Sequence, residues 1–305
     1  MSKIIVGIDE SPGSADAIAV GSRLAGITGS TLLFVNVFPY DTHLSRANNR
    51  EYEMYLRQDS RELLERLRSA HGDVTVEVAA IPNHSPSHGL HEFAEKEDAD
   101  LIVVGSTHTG RAGRVLPGST AERLLHGSPC PLAVAPNGYA QRSGEEPARI
   151  GCGYDGSMSA QRALEAARRL TAATGGRLRV IRAFEPLAYD IPPENVSHEG
   201  VTSYNDALQA RASDELEAAV ASIKTDGANA QLAVGDPAHI LAEASEALDL
   251  LLVGSRGYGP MHAVMVGGVA GRLVREAACP VIVFPRSAGQ TEDDSLFAKT
   301  AVLHG

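Results

Sequence analysis

The chain has 305 residues, a formal net charge of −11 at pH 7 and a sequence pI near 5.5. Its length exceeds that of a typical single core, and 43% hydrophobic with 21% charged residues is ordinary for a globular protein. The acidic charge argues against an extended nucleic-acid surface or a polybasic membrane patch, although helix N-termini can still attract a small anion.

Apolar runs alternate with amphipathic stretches along the first half of the chain. The runs are short, bounded by Gly, Asp or Pro, and lack strict alternation, as expected of strands covered on both faces. Such alternation requires crossover connections and therefore predicts a doubly wound parallel sheet. Ser11 before Pro12 has the pattern of an N-cap followed by a proline at the first helical position. In chain order we predict strand Lys3–Ile8, helix Gly13–Thr28, strand Thr31–Val37, helix Arg50–Ala70, strand Val74–Ala80, helix Ser87–Glu97, strand Leu101–Val104, helix Ser119–His126 and strand Pro131–Ala135.

The second half repeats the first. Asp100–Gly118 aligns without a gap on Asp249–Gly267 at an offset of 149 residues, and the same offset carries Cys130 onto Cys279. Near the start of each copy, IIVGIDESPGSADAI matches IGCGYDGSMSAQRAL at an offset of 146, which places Asp9 on Asp155 and Ser11 on Ser157. Matching blocks in one order indicate two copies of a single domain of about 145 residues.

The repeat defines the predicted domain organisation. We expect domains at residues 1–140 and 148–287, joined by a linker rich in Gly, Pro and charge around Pro136–Arg149. The C-terminal tail, residues 288–305, has no counterpart in the first copy, and we expect it to be a loose segment. Each domain should be a five-stranded parallel sheet of the Rossmann-like type.

Ligands of such sheets bind beyond the carboxyl ends of the strands, where the strand order reverses. In LIVVGSTHTGRAGRVLPGST, Gly105 ends the fourth strand and Gly118-Ser119 begins a helix thirteen positions later. Glycines let backbone amides approach a ligand, a helix N-terminus attracts phosphate oxygens, and a serine hydroxyl can donate to them. Asp9 could accept from a ribose hydroxyl or face a phosphate-bound cation. The pattern predicts a nucleotide site, with plain chain turns as the alternative.

These motifs resemble those of the universal stress protein family, once per copy and over nearly the whole chain. The resemblance implies an adenine nucleotide alpha hydrolase-like fold that binds ATP, with or without Mg²⁺, and an adenine nucleotide as partner. It implies contacts from the aspartate after the first strand, a main-chain position at the end of the second strand, and the glycine loop. By similarity these positions are Asp9, Val37, Gly105, Gly118 and Ser119 in the first copy and Asp155, Ala183, Gly254, Gly257, Gly267 and Gly268 in the second.

Each copy departs from the family pattern at one position. His108 stands at the second glycine position of the first copy, where its side chain restricts the loop and could contact the phosphates. Gly268 stands where the family has Ser or Thr, so the second copy keeps the amide and loses the hydroxyl. We expect neither change alone to abolish binding.

The resemblance implies a non-catalytic, ATP-binding regulator of stress or dormancy in the cytoplasm. A slow Mg-dependent ATPase and a nucleotide-free interaction scaffold remain the alternatives. Neither a membrane nor a nucleic acid is an expected partner, while a protein partner stays unidentified and homodimerisation open. Members of the family pair through their last strand, which implies contact between Pro131–Ala135 and Val281–Phe284.

Other residue patterns predict less. His84, His88 and His91 could share a helix face as metal ligands, but a solvated or capping role is the alternative that we favour. Cys130 and Cys279 precede prolines that open apolar strands, which favours structural thiols over redox sensors. The polar and aromatic segment Asp41–Tyr55 is either a flap beside the nucleotide or a loop into the next helix.

Overall fold

A computed structural model describes residues 2–40, 50–71, 75–106, 118–142, 147–186, 198–225, 227–255 and 268–286. Each half contains five strands and four α-helices in alternation within these ranges, and a short 3-10 helix, Tyr139–Gln141, follows β5. In the first half they are β1 Lys3–Ile8, α1 Gly13–Thr28, β2 Thr31–Phe38, α2 Arg50–Ser69, β3 Val76–Pro82, α3 Pro86–Glu97, β4 Leu101–Gly105, α4 Ser119–Gly127 and β5 Leu132–Ala135. In the second they are β6 Arg149–Gly153, α5 Met158–Thr174, β7 Arg177–Phe184, α6 His198–Ile223, β8 Asn229–Val234, α7 Pro237–Ser245, β9 Leu250–Gly254, α8 Val269–Glu276 and β10 Val281–Phe284.

The predicted α/β fold class is confirmed. All ten strands form one sheet in the order β3-β2-β1-β4-β5-β10-β9-β6-β7-β8. Pairing is parallel within each half, and the two halves meet where β5 and β10 pair antiparallel, with Ile282 opposite Ala133. The pairing of the last strands that the family resemblance implied is thus present in the chain.

Helices cover both faces of this sheet. One apolar cluster lies under α1, α2, α5 and α6, and a second lies under α3, α4, α7 and α8. Central strands are buried on both faces, as Leu132–Ala135 and Val281–Phe284 illustrate, so they carry continuous apolar runs. Among the described helices, none combines the length and apolar character needed to cross a bilayer.

Polar contacts reinforce the junction between the halves. Arg275 on α8 forms an ion pair with Glu122 on α4, with 2.9 Å between Nη2 and Oε1.

After β5 the chain turns back onto α1, where the buried Asp16 carboxylate accepts from the amides of Gly138 (2.9 Å) and Ala140 (2.7 Å). These bonds fix the start of the linker against the first half.

The capping prediction holds in one copy only. Ser157 caps α5, because its hydroxyl accepts from the amide of Ala160 at 3.2 Å. Ser11, however, does not cap α1; Pro12 occupies the N-cap position, and the Ser11 hydroxyl donates to the Asp9 carboxylate instead. The nearby carboxylate competes successfully for the serine hydroxyl, so the prediction for Ser11 was wrong.

Candidate functional site

The strand order reverses once in each half, between β1 and β4 and between β6 and β9. In both halves the two strands are neighbours in the sheet, and the chain leaves them toward opposite faces. Asp9 follows β1 and Asp155 follows β6, so both predicted aspartates lie at a reversal point.

The turn after β1 holds Asp9 by several hydrogen bonds. Its Oδ1 accepts from the Ser11 amide at 2.9 Å, from the Ser11 hydroxyl, and from the Ser14 hydroxyl at 2.9 Å. The Asp9 amide in turn donates to Ser14 Oγ at 2.8 Å. Oδ1 is therefore occupied by donors of the protein. Because the side chain is exposed, Oδ2 can accept a hydrogen bond from another group.

Gly105 brings the end of β4 directly against the start of α1. A Cβ built on Gly105 would overlap the backbone of Gly13. Conversely, a Cβ on Gly13 would lie 2.7 Å from the carbonyl oxygen of Ser106 and 3.5 Å from Ser11 Oγ. Gly105 thus has a role in backbone packing, which differs from the chain turn considered as the alternative for this motif.

Ser106 was not singled out from the sequence. It is only 4% exposed, and its hydroxyl has no hydrogen-bond partner in the described part of the chain, although its amide donates to Ala135 O at 3.1 Å. Buried hydroxyls usually have a partner, so Ser106 Oγ is an unused donor and acceptor at the reversal point.

Helix α4 also begins at the carboxyl ends of the strands, because it follows β4 in the chain. Gly118 is its N-cap in extended conformation (φ −70°, ψ 169°), and no side chain caps the helix. The amides of the first turn, starting at the exposed Ser119, are therefore available to an anion. Gly268, the repeat equivalent of Ser119, is itself the N-cap of α8, again without a side-chain cap.

The second copy builds the turn after its first strand differently. Asp155 Oδ1 accepts from the Ser157 amide at 3.0 Å, whereas the serine that holds Asp9 is replaced by Ala160. Ser159 fills the position of Gly13, and a Cβ on Gly254 would lie 2.6 Å from Ser159 Oγ. Asp155 therefore has fewer partners than Asp9 among the described residues.

The ends of the second strands also differ. Val37 and Ala183, predicted as main-chain contacts, lie in β2 and β7 and pair with Ile81 and Ala233. Preceding Val37, Asn36 donates to Ile8 O at 2.7 Å and accepts from the Ser60 hydroxyl on α2 at 2.6 Å.

The position equivalent to Asn36 in the second copy is Arg182, which pairs with Glu215 on α6 at 2.7 Å. These two polar residues within apolar strands were not singled out from the sequence. Their place at the same strand end in both copies was the signal that could have found them.

Three predicted site residues, His108, Gly257 and Gly267, lie outside the described residues. The histidines considered as metal ligands pair with carboxylates instead: His88 with Glu92 at 3.2 Å and His91 with Glu95 at 3.4 Å, while His84 is exposed. Within the described ranges no group of three or more His, Cys, Asp or Glu residues is arranged to hold a metal ion.

Both strand-opening cysteines are buried. Burial raises the pKa of the Cys130 and Cys279 thiols to about 12, because the thiolate would lose its hydration. Cys152, in β6, is buried as well, and burial raises its pKa further. Such thiols are poor nucleophiles, which supports a structural role.

Comparison with known proteins shows which family the two copies of the repeat match. The sequence profile of the universal stress protein family matches residues 1–136 and again residues 147–285. A universal stress protein of Mycobacterium tuberculosis is 29% identical over 245 residues, which cover 77% of this chain and 82% of that protein. One of Mycolicibacterium smegmatis is 26% identical over 290 residues, covering 92% and 96% respectively.

A solved structure shares the whole architecture. The crystal structure of a universal stress protein from Archaeoglobus fulgidus superimposes with a TM-score of 0.68 at 18% identity, covering 93% of this chain and 98% of that one. At this identity the likeness establishes the fold alone.

Proposed function

The chain belongs to the universal stress protein family, and from that premise we propose that it binds ATP at the reversal points of both halves. Membership in the family supports a role in the stress response. The nucleotide would sit beyond the carboxyl ends of the strands, where Asp9 and Asp155 lie.

The observation that carries the proposal is the set of unused polar groups around the first reversal point. The buried Ser106 hydroxyl has no partner among the described residues, and the N-terminus of α4 lacks a side-chain cap. Both offer hydrogen-bond donors, and the helix end also carries partial positive charge, as a phosphate chain requires. Asp9 Oδ2 would accept from a ribose hydroxyl or face a phosphate-bound Mg²⁺.

The second site would use a smaller set of donors. Asp155 would replace Asp9, and Gly268 before α8 would offer its amide without the hydroxyl that Ser119 contributes. One missing net hydrogen bond is worth about 1 kcal/mol, or a factor of about five in affinity. We therefore propose binding at both sites with unequal affinity, by a protein that regulates rather than catalyses.

The proposal is tested first by denaturing protein purified without added nucleotide and quantifying the released molecules by mass spectrometry. One or two equivalents of ATP would support it. An empty preparation is then titrated with millimolar Mg-ATP, and absence of both heat and thermal shift would leave the scaffold alternative. ADP formed from bound ATP in a single-turnover assay would favour the ATPase.

Matched variants locate the sites. Asp9→Asn should weaken one class of ATP site and Asp155→Asn the other, as measured by calorimetry. Glu10→Gln is the control, because Glu10 is an exposed carboxylate directly beside Asp9 and would have no role. Equal ATP binding by the wild type and by the Asp9→Asn, Asp155→Asn double variant would refute the assignment.

A further inference from the structure

The first copy holds its aspartate through a serine that the second copy lacks. Ser14, the second residue of α1, is only 6% exposed, and its Oγ accepts from the Asp9 amide at 2.8 Å. The same oxygen lies 2.8 Å from Asp9 O and 2.9 Å from Asp9 Oδ1, either of which can accept its single proton. Ser14 therefore ties the backbone of Asp9 to the start of α1 and lies within hydrogen-bond distance of the Asp9 carboxylate.

Ser11 adds two further donors to the same carboxylate oxygen. Its amide donates to Asp9 Oδ1 at 2.9 Å, and its hydroxyl donates to Oδ1 as well. The hydroxyl is not needed as a helix cap, because the Ser14 amide, which it could cap, donates to Ser11 O at 3.1 Å. The donors of this turn thus converge on Oδ1 and hold the carboxylate in place before a ligand binds.

The second copy arranges the same turn with fewer contacts to its aspartate. The repeat equivalent of Ser14 is Ala160, which has no hydroxyl. The Ser157 hydroxyl accepts from the Ala160 amide as the cap of α5 and lies 3.2 Å from Ser159 Oγ. Among the described residues, the Ser157 amide, at 3.0 Å, is the donor that remains for the Asp155 carboxylate. Asp155 is therefore held at fewer points than Asp9.

Ordering a side chain when a ligand binds costs conformational entropy. For one side chain this cost corresponds to about a two- to tenfold loss of affinity. Asp9 is already ordered in the folded protein by the two serines, whereas the ligand would have to order Asp155. The same carboxylate contact should therefore contribute more to affinity in the first copy.

We propose that Ser14 is a positioning residue for Asp9, and that it makes this aspartate contribute more to ATP binding at the first site than Asp155 contributes at the second. This inference rests on the proposed function, in which both aspartates contact the nucleotide. Ser14 is buried and acts through Asp9 rather than on the ligand.

The test is a double-mutant cycle on ATP affinity, measured by calorimetry with Mg-ATP and the full chain. Ser14→Ala, which installs the residue of the second copy, should weaken ATP binding at the first site about two- to tenfold. In a chain that also carries Asp9→Ala, the same substitution should change the affinity less than about twofold, because no carboxylate remains to be positioned. A merely structural role of Ser14 would give the same loss with and without the Asp9 side chain.

The two aspartates provide a second comparison. Asp9→Ala should weaken ATP binding at the first site by a larger factor than Asp155→Ala does at the second, because only Asp9 is held in place beforehand.

Ser245→Ala is the matched control, since Ser245 is another buried helical serine, on α7 in the second half. Its hydroxyl donates to Ala242 O and accepts from the Ala278 amide, so its loss can lower stability. The affinity of the first site for ATP should nevertheless stay unchanged.

The outcomes separate this inference from the proposed function. If Asp9→Ala weakens ATP binding and Ser14→Ala does not, the inference is wrong and the proposed function stands. The inference is also wrong if the loss in Ser14→Ala is independent of Asp9, if Ser245→Ala shows an equal loss, or if the two aspartate variants lose affinity by the same factor. If ATP does not bind, or if neither aspartate matters, both fail. Should Ser14→Ala not fold, the comparison of Asp9→Ala with Asp155→Ala decides alone.

Discussion

Gly105, the last residue of β4, packs on the backbone of Gly13, the first residue of α1, with no room for a Cβ between them. The contact lies at the carboxyl end of the central strand β4, and Asp9 follows the neighbouring strand β1. Glycine at 105 therefore contributes to the stability of the fold whether or not a ligand binds. Loss of nucleotide binding in a Gly105 variant would therefore say little about direct contact.

We predict that Gly105→Ala lowers the free energy of unfolding by about 2 kcal/mol, because backbone atoms would have to move apart. Urea unfolding followed by circular dichroism measures this. Gly26→Ala is the control: it lies within α1, a Cβ there meets nothing within 4 Å, and alanine should add about 0.5–1 kcal/mol. Equal unfolding midpoints for the two variants would contradict the packing argument.

Asp16→Asn should destabilise the protein by about 1–3 kcal/mol, since the buried carboxylate accepts from two amides of the linker and an amide side chain can serve only one of them well. Asp59→Asn, on the exposed face of α2, should stay within about 0.5 kcal/mol of the wild type. Thermal unfolding of both variants provides the comparison. If Asp16→Asn were as stable as the wild type, the linker would be held by other contacts.

The cysteines should resist thiol reagents in the folded protein. With a pKa of about 12 for Cys130 and Cys279, only about 10⁻⁴ of each thiol is ionised at pH 8, and all three side chains are buried. We expect reaction with 5,5′-dithiobis(2-nitrobenzoate) to proceed only as fast as the protein opens, and three thiols to react at once in denaturant. Rapid labelling of the native protein would disprove this.

Asp249 should contribute stability that depends on pH. Burial alone would raise the pKa of Asp249, but hydrogen bonds from the Arg149 guanidinium and from the amides of Ala148 and Arg149 lower it below its usual value. A carboxyl group whose pKa is lower in the folded than in the unfolded protein stabilises the fold at pH values above its unfolded pKa, near 3.9. That stabilisation is lost as the pH falls through the pKa of the folded protein.

The difference in unfolding free energy between the wild type and Asp249→Asn should therefore be largest at neutral pH and shrink below about pH 4. Urea unfolding from pH 7 to pH 3 measures it. Asp214→Asn, an exposed aspartate on α6, should show no such trend. A difference that grows on acidification would mean that the Asp249 carboxylate does not favour the folded state.

Local signals in the sequence predicted most of the fold. Helix α1 ends at Thr28 as predicted, because Gly29 adopts φ 66° and stops the helix. The third strand was misplaced by two residues and runs to Pro82, since β3 lies at the sheet edge, where a proline is tolerated.

The candidate site was less predictable because its details depend on atoms from distant parts of the chain. The repeat located Asp9 and Asp155 correctly at the strand reversals. Nothing in the sequence alone could show that the hydroxyl of Ser106 lacks a partner, or that Arg182 is held by Glu215 and faces Gly156. Whether Gly105 serves packing or a ligand likewise depends on its contact with Gly13.

The ion pair between Glu122 and Arg275 has no counterpart across the junction. The repeat equivalents of its two partners, at the offset of 149, are Gly271 and His126, which cannot form such a pair. In an assembly of identical subunits, any substitution at the junction appears on both sides at once. Here one polypeptide supplies both sides, so each can change alone, and the covalent connection keeps the halves together while their contacts diverge.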